Sequence, residues 1–228
     1  MSALGSDHLE QTRVRSARGK AAGLSGIAFA LAYLIGTASL NAPLRGSDQK
    51  IVDFWSDGGN QTAAVISMYC FAIAGLLFLV FMANLRARLA ARDTGSSKLS
   101  EIVFGSGLVF VVMLFVSGVA RGVIGFGTKS HWSQPVPNAD LLRYLPQISY
   151  AAGGLALLAA AVAVATTSMM ILRDGAFGRW LAWLGFAVSL VIVVANVFLA
   201  GVAVIPAMLI WALATSFAMW RSSAVSAA

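Results

Sequence analysis

Between Ala63 and Ala83 the chain runs without a charged residue or a proline, and then it meets Asn84, Arg86, Arg88 and Arg92. About 20 apolar residues wound as an α-helix, at about 1.5 Å each, cross the roughly 30 Å hydrocarbon core of a bilayer. The arginines give the run a direction. Lys and Arg concentrate in cytoplasmic loops close to span ends, so the chain is expected to enter from outside at Gln61 and leave inside at Arg86. Every other apolar run takes its orientation from this one.

The balance of residues agrees that lipid is the main solvent. Of 228 residues, 59% are hydrophobic and 11% charged, where an ordinary soluble domain has about 25% charged. The net charge of +7 does not mark a nucleic-acid partner, because the basic residues stand beside apolar runs and not along one continuous face. Cys70 is the single cysteine and lies inside the second apolar run, which excludes an intrachain disulfide and a cysteine metal cluster. The two histidines, His8 and His131, fall in a tail and a loop. No cofactor and no metal are expected from such a set.

Taken in order, residues 1–20 form a basic cytoplasmic tail with Arg13, Arg15, Arg18 and Lys20. Residues 21–40 are expected to be an uncleaved first span; the run is longer than a signal-peptide core, and Pro43 follows the nearest small-residue cleavage position, Ala42. In the outer segment 41–61 the pattern Ile51, Val52, Phe54, Trp55 predicts a short amphipathic helix at the interface, ended by Gly58 and Gly59. Asn60 is then placed to cap the second span, 63–85. A third span covers 101–121, and Gly122, Gly125 and Gly127 are expected to end or loosen its helix near Arg121. A short helix from Asp140 to Leu145 precedes the fourth span, 147–172, where Gly153 and Gly154 allow close helix approach.

A tight turn from Arg173 to Arg179 leads to the fifth span, 179–198, and the sixth covers 204–220, with a tail at 222–228. Roughly 40 apolar residues from Trp180 to Trp220 are twice one crossing, so a hairpin at 200–203 is required. Trp180, Trp183 and Trp220 beside Arg179 and Arg221 read as an inner aromatic belt. Of the 16 Lys and Arg residues, eleven fall inside on this scheme. The fold class is therefore all-α: a bundle of six transmembrane helices over 21–221, with both the N and C termini cytoplasmic. No internal repeat relates the first three spans to the last three, which gives an inverted-repeat transporter no support.

Ionisable residues within hydrocarbon are costly and point to function. Arg121 is the one such residue, near the outer end of its run. It can pair with Asp53, Asp57 or Asp140, snorkel to lipid phosphate, or hold an anionic ligand from outside. The outer acids Asp48, Asp53, Asp57 and Asp140, with His131, are candidates for an acid/base or metal site, set against the simpler reading of a solvated helix face. Asn196 can hydrogen-bond across helices, and Tyr33, Tyr69 and Tyr150 can line a pocket or pack. Gly118 and Gly122 fit the small-xxx-small dimer pattern, but 22 glycines make about two such pairs a chance expectation. Phosphate-binding glycine loops, His-Glu-x-x-His and Gly-x-Ser-x-Gly are all missing from the sequence.

Four stretches, Ile51-Val-Asp-Phe-Trp-Ser-Asp-Gly-Gly-Asn60 ahead of Asn84-Leu-Arg-Ala-Arg88, Leu145-Pro-Gln-Ile-Ser-Tyr150, and Gly178-Arg-Trp-Leu-Ala-Trp-Leu-Gly185, together resemble a group of uncharacterised actinobacterial integral membrane proteins. That resemblance implies a multi-pass protein of the bacterial cytoplasmic membrane and supplies no catalytic residues. The expectation is a non-catalytic membrane protein acting through a protein partner or as a homo-oligomer. The alternatives are a binder or carrier of a lipid or apolar small molecule, and a membrane enzyme using the outer acids.

Overall fold

A computed structural model describes residues 23–90, 97–130, 135–175, 177–198 and 204–225. Among these the chain is helical without strands: α1 (Gly23–Ser39), α2 (Asp48–Ser56), α3 (Gly58–Ala90), α4 (Ser97–Lys129), α5 (Ala139–Asp174), α6 (Arg179–Val197) and α7 (Ile205–Val225). Helices α3, α4, α5 and α6 are long and apolar enough to cross a membrane, while α1 and the Ile205–Arg221 part of α7 are shorter apolar helical segments. The expected tail at 1–20, the hairpin at 200–203 and His131 lie outside the described residues.

The long helices expose apolar side chains in stripes. On α3 the exposed face carries Ile66, Tyr69, Ile73, Leu76 and Val80, and on α4 it carries Val109, Val112, Val116, Val119, Val123 and Phe126. Spacings of three and four residues place each set on one helix face, and a contiguous apolar exterior of this extent fits a hydrocarbon surround. The interior holds an aromatic cluster in which Phe78 meets Phe29 at 4.9 Å and Phe110 at 4.5 Å between ring centres. Trp180, Trp183 and Trp220 are exposed at the end of the bundle away from α2.

Consecutive long helices run antiparallel, and the α3/α4 pair shows why. Glycines on each helix receive the neighbour's atoms: the Phe115 ring lies over Gly75, the Met68 side chain over Gly122, and the Gln61 carbonyl against Gly125. A methyl group at Gly122 would also stand 2.9 Å from the Ala64 carbonyl oxygen. The helix does not end or loosen near Arg121. It continues to Lys129, because its glycines are the contact surface for α3, and the close approach they permit outweighs their cost of about 1 kcal/mol each in helix propensity.

Two further boundaries depart from expectation. The short helix at 140–145 and the fourth span are one element, α5, with Pro146 inside it. At the start, Asn138 accepts a hydrogen bond from the Leu141 amide at 3.2 Å, and at the end Gly175 takes a left-handed φ of 65°, the arrangement that favours asparagine first and glycine last. The short amphipathic helix is present as α2, with Ser47 as its cap and Ile51 and Trp55 buried. Its end is set by Asp57, not by the glycines. The Asp57 carboxylate accepts from the Asn60 amide at 2.9 Å, so Asp57 and not Asn60 caps α3. The Asn60 side chain instead donates to the Phe54 carbonyl at 2.9 Å.

Helix α2 lies across the end of the bundle. Its buried residues join Leu40, Ala64, Ile124 and Leu142 in a small apolar cluster separate from the main core. At 33 and 36 residues, α4 and α5 are about 50 Å long, well beyond the hydrocarbon thickness. Their projecting ends give α2 its seat.

Candidate functional site

At the α2 end, α1, α4, α5, α6 and the start of α7 stand apart around a partly open groove of about 1140 Å³. Along α5 its lining runs from Gln147 to Leu158, a depth of about 16 Å at 1.5 Å per residue. The mouth is polar, with Asn41, Arg45, Arg121, Gln147, Ser149 and Tyr150. Further along α5 and α6 the lining is apolar, with Leu157 buried and Leu155 and Val193 exposed, and buried Phe71 of α3 also lines it. Gly153 and Gly154 line the groove, and a methyl group on Gly153 would find its nearest neighbour, Ser117 Oγ, at 3.6 Å. Here Gly153 leaves space open, while a methyl group on Gly154 would stand 3.0 Å from Asn196 Oδ1 on α6.

Arg121 is half-buried at the groove wall. Its Nε donates to Ser67 Oγ at 2.7 Å, and its Nη2 donates to the Thr37 carbonyl at 2.9 Å and to the Leu40 carbonyl. Ser67 Oγ in turn donates to the Gly36 carbonyl at 2.6 Å. These carbonyls belong to the last turn of α1 and the residue after it, where helix oxygens have no intrahelical donor and the dipole favours a cation. Arg121 is therefore a side-chain cap that ties α1 to α3 and α4. Its guanidinium also stands 5.8 Å from the centre of the Phe71 ring, a cation–π distance. Tyr150 lies close enough to interact with it. Behind Arg121 a void of about 10 Å³, about one water in size, separates it from Trp55.

Among the described residues, the acids offered as partners for Arg121 do not reach it. Asp53 accepts from Gln49 in its own helix at 2.7 Å, Asp57 caps α3, and Asp48 pairs with Arg143 at 2.7 Å. Asp140 is exposed in the first turn of α5, where an acid suits the helix dipole. Among the described residues no three of His, Cys, Asp and Glu gather as metal ligands would.

Asn196 does belong to the groove. Its amide nitrogen donates to the Ile192 carbonyl at 2.9 Å, and its oxygen sits opposite Gly154 on α5. Tyr33 and Tyr150 line the groove, whereas Tyr69 faces outward from α3. Of the five residues singled out in advance, the structure brings Arg121 and Asn196 to one site and leaves Asp53, Asp57 and Asp140 elsewhere. Sequence reasoning missed Asn41, Arg45, Gln147 and Ser149. Arg45 and Asn41 lie in an irregular segment with no periodicity to place them. No family model, curated protein or solved structure matches the chain, so the functional reading rests on this geometry.

Proposed function

We propose that the chain crosses a bacterial cytoplasmic membrane six times with both termini inside, and that its groove binds an amphiphile: polar head at the α2 end, apolar body against α5 and α6. The observation that supports this is the groove itself, polar at the mouth and apolar below. Its volume is at the upper end of the roughly 300–1,000 Å³ typical of small-molecule pockets. Apolar walls favour a chain or ring that sheds water, and hydrogen-bonding groups at one end orient it. The chemistry is binding, with α1, α4 and α5 as a fixed frame. Asp48, Asp53 and Asp57 take part in helix-end and surface hydrogen bonding, so this reading assigns them no catalytic role.

The binding reading is tested with a long-chain alcohol carrying a photoreactive group, applied to the purified protein in lipid discs. Crosslinks should concentrate on residues 147–158 of α5 and 193–197 of α6, and Gly153→Leu should reduce them roughly tenfold by filling the space. Labelling spread evenly over the lipid-facing stripes, and unchanged in Gly153→Leu, would overturn it. The topology is tested in a Cys70→Ala background with single cysteines at Lys20 and Arg221. Both should react with an impermeant maleimide only in inside-out vesicles; reaction from opposite sides would sink the six-span scheme.

A further inference from the structure

Resting on that reading of the groove, we infer that the head it receives is an anion, the phosphate or carboxylate of an acidic amphiphile, seated between Arg121 and Arg45. Among the described residues the groove lining contains two guanidinium groups and neither Asp nor Glu. Among the described acids at this end of the molecule, Asp48 pairs with Arg143, Asp53 with Gln49 and Asp57 with the start of α3, while Asp140 is exposed in the first turn of α5 and pairs with neither arginine. Arg121 spends Nε and Nη2 on a hydroxyl and two carbonyls. All three are neutral, so its charge is solvated by dipoles, and among the described residues no carboxylate pairs with it.

Capping α1 explains why a cation stands at position 121. It does not explain the second cation, Arg45, which lines the same mouth and, among the described residues, caps no helix and pairs with no acid. Arg121, half-buried at the rim of an apolar space, is a charge that is costly without a counter-charge, and Arg45 adds a second, exposed cation to the same rim. An arginine fork matches the paired oxygens of a phosphate or carboxylate. Asn41, Gln147 and the Tyr150 hydroxyl, on the same rim, can donate to the remaining oxygens. The apolar depth below the rim distinguishes an acidic amphiphile from a free anion, which would leave that surface unfilled.

The test compares three probes on the full chain in neutral-lipid discs: an alkyl phosphate, the alcohol of the same chain length, and inorganic phosphate. The alkyl phosphate should bind roughly tenfold or more tightly than the alcohol, the gain expected of one charge-assisted contact pair. Inorganic phosphate should compete only weakly. Arg121→Gln should bring the ratio towards one, and so should Arg45→Gln, which removes an exposed side chain and leaves the α1 cap intact. Equal affinity of phosphate and alcohol in the unmodified protein, or a ratio unchanged in Arg45→Gln, would overturn the anion seat while leaving the groove reading standing. Inorganic phosphate competing as well as the alkyl form would overturn the amphiphile part. Failure of the alcohol to bind at all would instead count against the groove.

Discussion

The glycines of the α3/α4 seam and Gly153 on α5 do opposite things. Gly75, Gly122 and Gly125 are filled by Phe115, Met68 and the Gln61 carbonyl, and they close the α3/α4 seam. Gly153, in a helix of similar length and apolar character, has only Ser117 Oγ at 3.6 Å near it and opens onto the groove. The same residue type is therefore a contact in one place and an absence in another. What decides is the partner: a long side chain or carbonyl aimed at the glycine in the first case, and divergent neighbours in the second.

Substitutions can break this contrast. Gly125→Ala has the largest expected effect, because its methyl would overlap the Gln61 backbone and cannot be relieved by a rotamer change. Thermal unfolding in detergent should show a loss of about 3 kcal/mol, at the upper end of overpacking costs. A loss below about 1 kcal/mol would mean that the seam is not closed as described. Arg121→Gln comes next, at about 2 kcal/mol, since it weakens charge-assisted bonds to the end of α1. Faster amide exchange confined to the last turn of α1 would localise that loss, and uniform exchange would refute it.

Gly153→Ala should act in the opposite direction. With room for the methyl, the helix gains up to about 1 kcal/mol in propensity, and a lowered melting temperature would show that the groove wall is tighter than the geometry gives. The smallest effect belongs to Asp48→Asn, which removes an ion pair whose acid is 73% exposed. Less than about 1 kcal/mol is expected, shrinking further in high salt.

The apolar runs were legible because length and lack of charge are local properties, and α2 was legible because Ile51 and Trp55 repeat at a helical spacing. The end of α4 was not legible. Glycine near Arg121 reads as a helix breaker unless the facing Met68 and Gln61 are known, and those lie more than fifty residues away. The join of 140–145 to the fourth span was hidden by Pro146, which in isolation marks a boundary.

The role of Arg121 was only half legible. Its position announced importance, but its partners are carbonyls, which every residue carries and no sequence pattern marks. The groove left the weakest trace. A space exists where helices fail to meet, and side-chain identity alone does not record where that happens.

Asp57 joins α2 to α3 with no residue to spare, acting as the C-terminal cap of one helix and the N-terminal cap of the next. With no slack at that joint, and Arg143 gripping Asp48 at the far side, α2 is a bracket bolted to the bundle. The irregular strap that follows α1, residues 40–47, is tied at both ends as well, by Arg121 on the Leu40 carbonyl and by Arg143 on the Gly46 carbonyl. That strap carries Asn41 and Arg45 between its two ties, so in the proposed binding role the residues that would meet the head are slung from the same two arginines that hold the helices in place.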